Sequence, residues 1–368
     1  MRRITTLSAV LLLLSVLVAA PAAAEVTKTI RAELSPKGGA AWGLENLAGR
    51  MKVVAGSGST IVAVATIHAE SDELARSLEF EEVAIESGTG LRMRYPVDRH
   101  TTYRYPVGSD GQTSSVFTWL GGSSTSNFKY DGRNVKVSNK DGVLLYADIE
   151  VQVPSRLTGK GTFENHVGRI EGRGFEGNLV FSTSSGDIDL DKVGGTVKVD
   201  TGSGDVSADG GTGSLSVDTG SGDINVEHFS GDVIDCDVGS GDVTLKSGAS
   251  RRVSIDTGSG DVSVTSMDVE EFDTDTGSGD VLLESLSGKV AKIDTDTGSG
   301  DVVLRLGGSA SFEVIADQGS GDLISRYKDA EPIVKGREVI GYRRGDHRTR
   351  ITVSTGSGDV TVEPGASI

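Results

Sequence analysis

A Ser-Gly-Asp turn, usually inside a longer Thr-Gly-Ser-Gly-Asp-Val/Ile phrase, recurs along the second half of this chain. Its aspartates are Asp187, Asp205, Asp223, Asp242, Asp261, Asp280, Asp301, Asp322 and Asp359, at intervals of 18, 18, 19, 19, 19, 21, 21 and 37 residues. One further copy, at Asp232, is off register. Self-similarity of this kind commits a chain to a repeat architecture, because one short unit cannot bury its own apolar face and must stack on its neighbours. On both sides of the turn apolar and polar residues alternate. Val197/Val199, Leu215/Val217 and Ile234/Cys236 come before it; Val206/Ala208, Ile224/Val226 and Val243/Leu245 follow. Period two in short β-branched runs means half-buried strands. Gly-Ser-Gly supplies a tight corner between them, and Gly194-Gly195 and Gly210-Gly211 suggest a second, glycine-rich corner. The pattern predicts an all-β fold: a parallel β-helix or solenoid of about 18–21 residues per coil, preceded by an N-terminal β region. The hand is not readable. A sandwich of antiparallel hairpins is the alternative, but a sandwich has no need of matching turns. Nine coils at a strand spacing of about 4.8 Å would form a rod on the order of 40 Å long.

Residues 1–24 read as a secretory signal. Arg2 and Arg3 precede an apolar run from Leu7 to Ala19, and Ala20-Pro21-Ala22-Ala23-Ala24 offers a cut after Ala24. The run is short for a permanent span, which needs roughly 20 apolar residues, and no second apolar segment follows. The expected mature chain is therefore exported to the periplasm, the cell surface or the medium and carries no transmembrane segment. Cys236 is the single cysteine, so no internal disulfide can form. A net charge of −17 opposes binding to nucleic acid. With 51 glycines, 7 prolines and 5% aromatics, the composition favours one elongated array over two ordinary domains. The chain divides into the signal 1–24, an N-terminal β region 25–95, an aromatic-containing insertion 96–145, and the repeats 146–368 with a basic insertion at 326–350.

The turn phrases, the segment Tyr146-Ala-Asp-Ile-Glu-Val-Gln-Val-Pro154 ahead of them, and Leu47-Ala-Gly-Arg-Met-Lys-Val-Val54 followed by Ile61–Ala65 resemble a bacterial family of exported β-strand-repeat proteins. Its members carry the label adhesin and have no established activity. The resemblance covers residues 44–95 and 146–368, and residues 96–145 depart from it. It implies a β-helical fold and an envelope or surface location, and a fold does not by itself fix a function.

Two aspartate ladders are the most numerous candidate groups. One is the turn set; the other precedes the turn at Asp200, Asp218, Asp237, Asp256, Asp275, Asp296 and Asp317. Each turn carboxylate is expected to accept an N–H within its own turn. That bond offsets a repulsion of roughly 1 kcal/mol between carboxylates stacked about 5 Å apart in water. The alternative is calcium bridging Asp205, Asp223, Asp242, Asp261, Asp280 and Asp301; no other cofactor is implied. Gly-Ser-Gly is not a phosphate cradle, because a strand rather than a helix follows it. His68, His100, His166, His228 and His347 are scattered without metal-ligand spacing and read as mostly solvated, and Cys236 reads as a small core residue.

Recognition is expected where the repeat breaks. Tyr103, Tyr105, Phe117 and Trp119 offer a glycan- or peptide-binding surface, against the plainer reading of hairpins with alternating aromatics. Arg343 and Arg344, within the cationic stretch from Arg326 to Arg350, read either as a hairpin covering a solenoid end or as a docking site for an acidic partner such as a second copy. The expected function is a non-enzymatic, adhesin-like scaffold meeting protein or glycan at the cell envelope. The alternatives are a calcium-stabilised structural solenoid and a polysaccharide-active β-helix enzyme using Asp301 and Asp322 near Arg343–Arg350.

Overall fold

The computed structural model describes residues 25–36, 38–106, 125–286 and 289–365. The expected signal segment, Phe117 and Trp119 lie outside the described residues. Each repeat contributes one strand on either side of its turn; around Asp205 these are Gly194–Thr201 and Val206–Asp209. The strands before the turns join a 15-stranded sheet and those after the turns a 17-stranded one. Neighbouring copies pair parallel and in register. Val197, Leu215, Ile234, Val253, Phe272 and Ile293 form one inward file. Val206, Ile224, Val243, Val262, Val281 and Val302 form its counterpart in the other sheet. All of these side chains are buried, and each contributes roughly 1.5–3 kcal/mol relative to exposure. The fold is all-β with long parallel sheets, consistent with a solenoid; among the described residues the one helix is Asp72–Ser77. Among the described residues no helix is long and apolar enough to cross a membrane.

The second corner is glycine-rich at Gly210-Gly211, as read from the sequence, with φ of 70° and 102°, but not in the other coils. Gly194 and Gly195 lie inside a strand. The left-handed position at this corner is held by Lys192, Gly210, His228, Ser247, Ser266 and Ser285, with φ between 53° and 70°. A non-glycine residue there costs roughly 1–2 kcal/mol. The cost is met because its N–H is bonded to the next coil, as in Ser247 N–H to Thr265 O at 3.1 Å.

Both ends of the stack depart from chain order. At the N-terminal end, Ala41–Ala48 pairs with Arg156–Val167, and Met51–Gly56 pairs with both Ile170–Arg173 and Val143–Pro154. Residues 41–56 thus make a layer directly below 156–173. Val26–Leu34 and Ile61–Ala69 then close that end in antiparallel pairing. At the other end, Thr349–Thr355 lies between Lys292–Thr297 and Phe312–Asp317, and Val360–Pro364 lies between Val302–Leu306 and Leu323–Ser325. The last repeat in the chain is therefore inserted beneath the one that precedes it. A hairpin of Glu331–Lys335 and Glu338–Arg344 continues the 15-stranded sheet antiparallel beyond Phe312–Asp317. Its outer strand carries Pro332 and a register shift at Ile333/Val334, features that blunt an exposed edge.

Candidate functional site

The turn phrase is explained by contacts between coils. Thr276 points inward and is buried; its hydroxyl donates to Gly260 O at 3.1 Å and accepts from Gly279 N–H at 3.2 Å. The turn aspartates do not bond within their own turns, as the sequence led us to expect. Each except Asp322, the last in the column, accepts at Oδ1 from the backbone N–H of the aspartate in the next layer. Asp261 accepts from Asp280 and Asp280 from Asp301, both at 2.8 Å. The same holds from Asp205 to Asp223 and Asp242, and onward from Asp301 to Asp359 and Asp322. In-register stacking sets that amide within hydrogen-bond reach of the carboxylate. The six aspartates considered for calcium thus each spend an oxygen on backbone. Asp261→Ala is expected to cost about 1 kcal/mol in urea unfolding through loss of this acceptor, while Asp261→Asn, which keeps Oδ1, stays within about 0.5 kcal/mol of the parent. Equal losses would mean that the charge, not the acceptor, matters.

For Tyr103 and Tyr105 the reading of an aromatic binding surface is corrected. Tyr103 and Tyr105 are 0% and 5% exposed. Their rings meet Tyr95 and Tyr146 edge-on at 5.3 and 5.1 Å and belong to the hydrophobic core. Arg343 pairs with Glu331 at 3.0 Å. Arg344 pairs with Asp329 at 2.8 Å and lies over the Tyr327 ring, so both arginines brace the covering hairpin. Asp359 stands between Asp301 and Asp322, so these two carboxylates are not adjacent in the stack. Burial pushes the Cys236 thiol up to about 12, far from a nucleophile's range.

The second aspartate ladder is an outward column of the 15-stranded sheet, and it extends further than its aspartates. From Asp200 it runs through Asp218, Asp237, Asp256 and Asp275 to Asp296. In the other direction it continues through Ser182 to Glu164, Glu45 and Arg92. At that end the column meets His166, which is 8% exposed rather than solvated. His166 Nε2 lies 3.2 Å from Glu45 Oε1 and 3.5 Å from Glu164 Oε1. Arg92 donates to Glu45 Oε2 at 2.6 Å and to Asp131 at 3.2 Å. Phe128 stacks on the imidazole at 4.9 Å and Tyr130 meets it edge-on at 5.4 Å. Burial alone would push the Glu45 carboxyl up, but hydrogen bonds from His166 and Arg92 bring it below the usual carboxylate range. Burial holds the Glu164 carboxyl above that range. Glu45 and Glu164 also line a groove floored by Gly43 and walled by Val83, Ile85 and Lys160. His68 is likewise engaged, stacked on Tyr146 at 4.5 Å, with its pKa raised by hydrogen bonds to Asp148 and Glu25.

The Toastrack DUF4097 family matches residues 129–363, more than half of the chain. The chain belongs to this family. No curated protein matches it. Among solved structures, a "putative lipid binding protein" of Parabacteroides distasonis is similar over 91% of this chain and 96% of its own, at 12% identity and a TM-score of 0.38. A "putative adhesin" of the same organism is similar over 92% and 97%, at 12% identity and a TM-score of 0.37. A "putative cell adhesion protein" of Clostridium sporogenes is similar over 92% and 100%, at 10% identity and a TM-score of 0.20.

The Toastrack span includes Glu164 and His166, whereas Glu45 and Arg92 precede it. The sequence reading missed this cluster. Its signal was present: Glu45-Asn46 and Glu164-Asn165 occupy the place that Asp-Thr holds in later coils, and the two pairs are in register with each other. Asn46 Nδ2 donates to Asn165 Oδ1 at 3.0 Å, and Asn165 Nδ2 to Gly49 O at 2.7 Å. Asparagine therefore serves the corner here as threonine does elsewhere.

Proposed function

We propose that this chain is a non-enzymatic scaffold, exported and held at the cell envelope or surface, which meets protein or glycan partners through the outer face of its 15-stranded sheet. In this reading its repeats are coils of 18–21 residues, and the outer column of carboxylates is the contact strip. That column carries the proposal. Asp218, Asp237, Asp256 and Asp275 have no basic partner within 4.0 Å among the described residues. Burial, then the neighbouring carboxylates, hold Asp237 and Asp275 above the usual range. A straight strip of one sign at constant spacing suits an extended, positively charged partner better than a small substrate in a cleft.

The test is binding of the fluorescently labelled chain to whole cells and to isolated envelopes, compared with the triple variant Asp237→Asn, Asp256→Asn, Asp275→Asn. Binding is expected to fall about tenfold or more and to weaken with added salt. The variant should melt no lower than the parent: carboxyls whose pKa is raised in the fold are destabilising when charged, so removing the charge relieves repulsion. Undiminished binding by a folded variant would exclude the column as the contact surface.

A further inference from the structure

We propose that Glu45, Glu164 and His166 form a binding site for a divalent transition metal of the zinc class. This goes beyond the scaffold reading and stands independently of it. A tetrahedral zinc with bonds of about 2.0–2.1 Å requires its ligand atoms to stand roughly 3.3 Å apart. His166 Nε2 is already 3.2 Å from Glu45 Oε1 and 3.5 Å from Glu164 Oε1, and the ligand atoms of all three residues lie within 4.8 Å of one another. Among the described residues this is the grouping of three metal-ligating side chains that comes so close.

The surroundings fit a metal as well as the distances do. Phe128 stacked on the imidazole and Tyr130 against its edge fix the ring with Nε2 towards the carboxylates. Arg92 takes the other oxygen of Glu45, which orients the ligand oxygen as outer partners of metal sites do. Charge is short by a cation: Glu45, Glu164 and Asp131 surround the single Arg92. An imidazole beside two carboxylates favours zinc and its transition-metal neighbours over calcium, whose ligands are all oxygen. The groove that Glu45 and Glu164 line offers an entry path. The turn aspartates offer no imidazole and form no grouping of three ligand atoms within 4.8 Å among the described residues.

The experiment is calorimetric titration of the chain with zinc chloride after EDTA treatment and dialysis, with thermal melting in parallel. One zinc per chain is expected, with a rise in melting temperature of about 5 °C or more at saturation. Glu164→Gln should lower zinc affinity by about tenfold or more while leaving the metal-free melt within a few degrees, since this side chain is 40% exposed. His166→Gln should abolish one-to-one binding; should that variant fail to fold, Glu164→Gln decides. Calcium should not reproduce the shift. Absence of zinc binding, or binding of several zincs that survives Glu164→Gln, would overturn the site and assign any residual effect to the aspartate columns.

Discussion

Gly279→Ala is expected to destabilise the protein by about 4 kcal/mol or more, an effect at the extreme of single substitutions. A Cβ at Gly279 would lie 1.8 Å from Gly260 O and 2.4 Å from Gly260 C. Both atoms are backbone, so no side chain can rotate away. Relief requires the layers to part at the turn. That breaks the Val262 N–H to Asp280 O bond at 2.8 Å and the Thr276 hydroxyl bond to Gly260 O at 3.1 Å. The same substitution at Gly308, where nothing lies within 4 Å, should change stability by no more than about 0.5 kcal/mol. Urea unfolding followed by circular dichroism makes the comparison. A Gly279→Ala protein as stable as the Gly308→Ala control would show that the stack opens at little cost.

Removing residues 347–368 is expected to release far more of the structure than the segment deleted. In a solenoid stacked in chain order, loss of the last coil frays one end. Here the deleted strands are interior: Val360 stands between Val302 and Leu323, and Arg350 between Lys292 and Glu313. Phe312–Asp317, Leu323–Ser325 and the covering hairpin would lose the layer that joins them to the rest. Amide protection across residues 312–344 should fall about a hundredfold or more, while the layers from Ile170 to Leu306 keep theirs. The measurement is hydrogen exchange read by mass spectrometry. Retained protection in 312–344 would mean that this segment re-docks directly on Lys292–Thr297, with the repeat tolerating a shift of one layer.

How much could be read without coordinates depends on how local each requirement is. The strands, their inward faces and the stacking followed from the turn phrase, because each copy's needs are met by the same residues one period away. Thr276 and Gly279 illustrate this, satisfied by Gly260 and bounded by it. The role of the turn aspartates was half legible: a backbone N–H was the right partner, but the neighbouring layer supplies it. Whether Tyr103 and Tyr105 formed a binding surface or a structural hairpin was not legible, because exposure of an aromatic in an irregular segment depends on what packs over it. The cluster at Glu45, Glu164 and His166 was hidden because residues about 120 apart meet only through the pairing of Ala41–Ala48 with Arg156–Val167.

By itself the sequence determined that this protein is a stack of parallel β layers with tight glycine turns and a core of β-branched side chains. That information is repeated in every unit and needs only the adjacent unit to act. The order of the last layers was decided by tertiary structure alone. Equivalent turns are interchangeable partners, so Asp359 can follow Asp301 as readily as Asp322 can. The choice rests on contacts that no repeat encodes: the hairpin edge on Phe312–Asp317, Phe312 against Tyr327, and the Tyr327 hydroxyl on Leu306 O at 2.8 Å.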